Sequence, residues 1–170
     1  MKKLNLTTFF VFIVIGSMFG QKVMFADTEY ILSKIPAHES AIEQIEESSK
    51  LWQKEIEQKF DLVQEKYNDY QTEHVLLSPE MKKKREEEIV RLEKEANGLK
   101  DKYFGDEGEL YQKRKELIKP IQDEVYNAIK EIAAEGNYGY IMDKASNPSL
   151  LYADSKYDVS DEVLKKLGYN

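Results

Sequence analysis

His38 and His74 are the two imidazoles of the chain, and there is no cysteine to join them. Two isolated histidines fall short of a multi-histidine metal site, and the lack of thiols removes thiolate zinc centres, disulfides and cysteine nucleophiles. Gly105-Asp106-Glu107-Gly108 sets two carboxylates between glycines, yet the alternating oxygen ligands of an EF-hand are missing. The chain has no glycine-rich phosphate loop after a strand, no Gly-x-Ser-x-Gly elbow and no paired histidine motif. Adjacent carboxylates are common in so acidic a chain and carry no diagnostic weight. Catalysis is therefore not expected, and no cofactor or metal is implied.

Two groupings are suited to binding instead. Tyr67, Tyr70, Leu76, Leu77 and Met81 form one set, and Tyr103, Phe104 and Tyr111 a second. Aromatic and methionine side chains adapt to partners of many shapes. Their competing role is to close a seam between two helices. Lys82, Lys83, Lys84 and Arg85 precede Glu86, Glu87 and Glu88. Pairing at i,i+4 with the lysine first is the weaker order, and cations at a helix start oppose the macrodipole. The cluster is either a solvated face or a basic tip that attracts acidic polypeptides or anionic lipid headgroups.

The elements that hold these residues follow from composition. The 170 residues are 34% charged with only 8 glycines and 4 prolines, and mean hydropathy is -0.63. Long solvated helices fit such a mixture. Lys2 and Lys3 precede the apolar run Phe9 to Ile15, which exits through Gly16, Ser17 and Gly20. That is a secretory signal pattern, with cleavage expected after Gly20. An uncleaved anchor is the alternative, but polar residues interrupt a stretch shorter than the roughly 20 apolar residues of a span. Removal of Lys2 and Lys3 leaves 23 basic against 32 acidic side chains, a net charge of -9 over 150 residues. Nucleic acid is excluded on that charge. An exported chain without cysteine suits the bacterial periplasm.

From Pro36, Ile42, Ile45, Ser49, Trp52 and Ile56 recur at steps of three and four. After an offset of four residues, Phe60, Val63, Tyr67, Tyr70, His74 and Leu77 continue. Ser78 and Pro79 then start a second helix. Ile89, Leu92, Ala96, Leu99 and Tyr103 repeat the spacing, and Tyr111, Ile118, Ile121, Val125, Ala128 and Ile132 resume it. Gly105 and Gly108 predict a soft point and Pro120 a kink. So short a link makes an antiparallel hairpin.

The ends supply a small body. Strands are expected at Lys22–Asp27, Tyr138–Asp143 and Leu150–Ala153, and a last helix capped by Asp158 and Asp161 runs to Gly168. The division is residues 1–20 signal peptide, 21–35 body, 36–135 hairpin arm with its tip near 76–80, and 136–170 body with two strands and a helix. The fold class is α+β, mostly α: a long coiled-coil hairpin on a small β-body. Three short strands bury little, so oligomerisation is expected to complete that body.

This order of elements resembles the Skp family of periplasmic chaperones, also called OmpH-like proteins. The resemblance is carried by Val23-Met24-Phe25-Ala26-Asp27-Thr28-Glu29-Tyr30-Ile31-Leu32, by Leu117-Ile118-Lys119-Pro120-Ile121-Gln122-Asp123 onward to Asp143, and by Asp158-Val159-Ser160-Asp161-Glu162-Val163-Leu164. It implies a homotrimer whose three helical arms enclose unfolded outer-membrane β-barrel proteins in transit, without ATP. The aromatic and methionine sets above become client-binding candidates, and Lys82 to Arg85 basic tip candidates. Well-studied members are basic whereas this chain is acidic, so apolar contact and local basic patches must carry more of the binding. A structural coiled-coil adaptor tethering envelope partners is the rival reading.

Overall fold

The computed structural model describes residues 23–169. The expected signal peptide, residues 1–20, lies outside them, as does the expected start of the first strand at Lys22. Two compact units are present: residues 35–123, and residues 23–34 with 124–169. The fold is mostly helical, with a long helical hairpin and a small sheet, as the sequence pattern predicts.

The second unit, the body, contains β1 (Val23–Ala26), α1 (Thr28–Ser33), β2 (Tyr140–Asp143) and α6 (Ser160–Lys166), and α5 (Lys119–Glu135) enters it from residue 124. β1 and β2 pair in parallel, Val23 opposite Tyr140 and Ala26 opposite Asp143. A parallel pair requires a long crossover, and here the whole hairpin sequence lies between the strands. On the other edge of β1, the Val159 N–H donates to Phe25 O at 2.8 Å, so the body core gathers around β1. Ile31, Val159 and Val163 are its fully buried large side chains.

Polar groups tie the chain ends together. Asp27 caps α1 by accepting from the Tyr30 N–H at 2.9 Å. Asp143 Oδ1 accepts from the Thr28 N–H and hydroxyl at 3.2 and 3.0 Å. Buried Ser160 accepts the Asp27 N–H at 2.8 Å and donates to Asp158 Oδ1 at 2.5 Å. Lys166 joins α6 to α5 through Glu131 at 3.0 Å and Glu135 at 2.7 Å.

The strand expected at Leu150–Ala153 does not form, so residues 136–170 contain one strand where two were expected. Leu151 is 96% and Tyr152 79% exposed. The segment has strand-forming side chains but pairs with no strand among the described residues, and it follows a turn at Asn147 to Leu150. Propensity without pairing is insufficient.

In the other unit, α2 (Pro36–Glu73) and α3 (Pro79–Phe104) form the hairpin, followed by α4 (Glu109–Leu117). The 38 residues of α2 are about 57 Å long at 1.5 Å per residue. Ser78 starts α3 as expected, its Oγ accepting the Met81 N–H at 3.3 Å, with Pro79 next. The return arm breaks twice. Gly105 carries no Cβ because one would lie 2.4 Å from Asp101 O, and one on Gly108 would lie 2.8 Å from Lys102 O. The second break falls at Ile118, two residues before Pro120.

The seam keeps most of the expected stripe, with Ile45, Ser49, Trp52, Ile56, Val63, Tyr70 and Leu77 of α2 and Ile89, Leu92, Ala96, Leu99 and Tyr103 of α3 buried or half-buried. Ala41, Ile45, Leu92, Ala96 and Tyr103 are buried, while Ile42, Phe60, Tyr67 and His74 are exposed. Lys66, Glu73, Lys82 and Arg85 occupy half-buried positions in their place. A stripe drawn from apolar residues alone passes over Glu73 and Arg85, which pair across the interface at 3.2 Å.

Candidate functional site

The hairpin positions the candidate residues in three groups. At its inner end, Trp52 of α2 stacks on Tyr103 of α3 with centroids 5.0 Å apart and planes 11° from parallel. Phe104 meets the same indole edge-on at 6.4 Å. The Tyr103 hydroxyl donates to Glu55 at 2.8 Å, and that bond raises the phenol above its ordinary value. Tyr103 is 8% exposed. It and Phe104 are spent on closing the hairpin rather than on a free surface.

Further out, Tyr70 is half-buried, donates to Glu86 across the seam and stands edge-on to His74 at 5.3 Å. The Glu86 bond raises the Tyr70 phenol. Tyr67 faces solvent, accepting from Gln71 Nε2 at 2.7 Å. Tyr111 on α4 is exposed as well.

At the turn, Leu76 is 87% exposed, Met81 is about half exposed, and Leu77 is half-buried. The sequence candidates omitted Val75, which is 88% exposed. Val75 falls between the periodic positions His74 and Leu77, so a periodicity search passes over it; the run Val75-Leu76-Leu77 directly before Ser78-Pro79 was the available signal.

The basic cluster divides. Arg85 donates to Glu73 of α2 at 3.2 Å, and Lys82 is half-buried beside the seam. Lys83 and Lys84 are exposed, with Lys83 at 3.9 Å from Glu87. Two of the four expected tip cations therefore belong to the seam positions, and two face solvent.

The body holds a polar cleft of about 320 Å³ lined by Asp27, Tyr30, Lys144, Ser155, Asp158, Ser160 and Asp161. Its acidic groups are matched internally: Lys144 lies 3.7 Å from Asp27 and 4.0 Å from Asp158, and Tyr30 donates to Asp161 at 3.0 Å. Among the described residues no group of three histidines or carboxylates is placed to hold a metal.

The candidate residues are thus a dispersed set of exposed apolar and aromatic side chains on a charged hairpin. No individual curated protein matches the chain. The model of the family described as Outer membrane protein (OmpH-like) matches residues 22–167, which takes in both units. That family is one of periplasmic chaperones for outer-membrane proteins. A match over nearly the whole length, on a hairpin and small parallel sheet in the expected order, makes this chain a member of the OmpH-like family.

Proposed function

We propose that this protein is an ATP-independent periplasmic holdase that binds unfolded outer-membrane proteins and prevents their aggregation in transit. The carrying observation is the exposure of Leu51, Tyr67, Val75, Leu76, Met81, Val90 and Tyr111 on a hairpin rich in charged side chains. Scattered apolar contacts bind many sequences weakly, as unfolded barrel proteins require. Several arms on one client turn weak contacts into avidity, because the later ones are intramolecular. A homotrimer supplies those arms, and the exposed Leu151 and Tyr152 of the thin body support assembly. Export follows cleavage after Gly20, which leaves Gln21 as the N-terminal residue.

The test is light scattering from a urea-unfolded barrel protein diluted with the sized, nucleotide-free protein. Suppression at near-stoichiometric trimer supports the proposal. A monomer that leaves scattering unchanged overturns it, and a pull-down returning one folded partner favours the adaptor instead.

A further inference from the structure

The body has a second cleft, of about 530 Å³, where α1 meets α6. Tyr30 and Lys34 of α1 line it together with Asp161, Leu164 and Lys165 of α6 and with Tyr169. Leu164 is buried, whereas Tyr30 is 40% exposed. The end of α6 brings Tyr169 to this place. Gly168 takes φ +87°, a left-handed conformation that glycine adopts without strain, and the Tyr169 N–H turns back to Leu164 O at 2.9 Å. The charges here differ from those elsewhere in the body. Lys144, Lys156 and Lys166 each lie within 4.0 Å of a carboxylate. Lys34 and Lys165 form no ion pair among the described residues, and the Lys34 ammonium lies over the Tyr30 ring, 5.6 Å from its centroid. The one carboxylate of the lining, Asp161, accepts the Tyr30 hydroxyl at 3.0 Å. Two unpaired cations thus share an aromatic and leucine lining, in a chain whose net charge is -7.

We propose that this cleft binds a small aromatic carboxylate, with the ring against Tyr30, Leu164 and Tyr169 and the carboxylate on Lys34 and Lys165. The volume is that of a small-molecule pocket. Charge-assisted hydrogen bonds to the two ammonium groups fix the carboxylate, and ring contact with the tyrosines adds apolar burial. A neutral aromatic would leave both cations unpaired. Inorganic phosphate would meet the cations but leave the apolar lining bare. The site belongs to the body, and the inference does not rest on the holdase reading.

The experiment is isothermal titration of the mature protein, at its sized oligomeric state, with phenylacetate, with its neutral counterpart phenylacetamide and with inorganic phosphate. Saturable binding is expected for phenylacetate, with the amide and phosphate each weaker by about tenfold or more. Lys34→Gln with Lys165→Gln should bring phenylacetate down to the affinity of the amide and leave the melting temperature unchanged. Tyr169→Ser should weaken acid and amide alike. Lys130→Gln, at an exposed cation outside the cleft, should change nothing. No saturable binding of phenylacetate, equal binding of the amide or of phosphate, or an unaltered affinity in the glutamine pair overturns the proposal. So does an equal loss in Lys130→Gln, which would reduce the effect to overall charge. Binding to diluted monomer but not to the assembly overturns it as well, because a second copy would then occupy the cleft.

Discussion

The body and the hairpin bury their side chains by different means. In the body, Ile31, Val159 and Val163 are fully enclosed, and the strand ends are locked by Asp27, Asp143, Asp158 and Ser160. Among the described residues of the hairpin unit only Ala96 is fully enclosed. Its helices are held by a thin seam of Ala41, Ile45, Leu92 and Ala96 together with an aromatic stack and tyrosine–carboxylate and arginine–carboxylate contacts. An arm of that kind opens locally at lower cost than a close-packed core, and adaptable contact draws on that low-stability end.

The largest test of this contrast is Ile31→Ala, which should destabilise the protein by about 3 kcal/mol through the cavity it leaves. Urea unfolding monitored by circular dichroism measures it. A loss under 1 kcal/mol, on the order of a surface change, would show that the body is no tighter than the arm. Trp52→Ala comes next, at about 2 kcal/mol because the indole is only half-buried. Hydrogen exchange should rise in α2 and α3 and stay unchanged in β1 and β2.

Acid should act on the body. Burial pushes the Asp143 carboxyl up, but hydrogen bonds from Ser146, Thr28 and Ala145 outweigh it and hold the group below its ordinary value. A depressed folded value contributes stability above the unfolded value of about 3.9, lost as pH falls through the folded one. Asp143→Asn should therefore flatten the acid limb of the stability curve, read as melting temperature against pH. The smallest effect belongs to Glu73 and Arg85. A double-mutant cycle with glutamine at both should return about 0.5 kcal/mol of coupling, reduced by salt. A larger value would mean that the outer seam is stronger than its exposure suggests.

Much of the fold was legible because its signals are local. Pro36 and Ser78 with Pro79 are punctuation whose meaning depends on a few neighbours, whereas α6 starts after Val159 without the expected side-chain cap, Asp158 accepting the Ser160 N–H and Asp161 the Tyr30 hydroxyl. Gly105, Gly108 and Pro120 marked the breaks for the same reason. Most of the seam was legible, but not its outer end, because Glu73 and Arg85 count as polar until their partner is known. The unformed strand at Leu150–Ala153 failed likewise, since pairing is a property of the neighbour. For the candidate site, residue type identified the exposed Tyr67, Leu76, Met81 and Tyr111 but could not separate them from Tyr103, whose burial depends on Trp52 across the seam.

The parallel register of β1 and β2 also sets a timetable. Thr28 and Asp143, which lock the strand ends, are 115 positions apart. During N-to-C emergence, β1 comes first and stays without its mate until almost the whole chain has followed. The arms, built from near neighbours in sequence, zip up meanwhile. The protein therefore spends part of its own birth as an unpaired, apolar strand awaiting a partner.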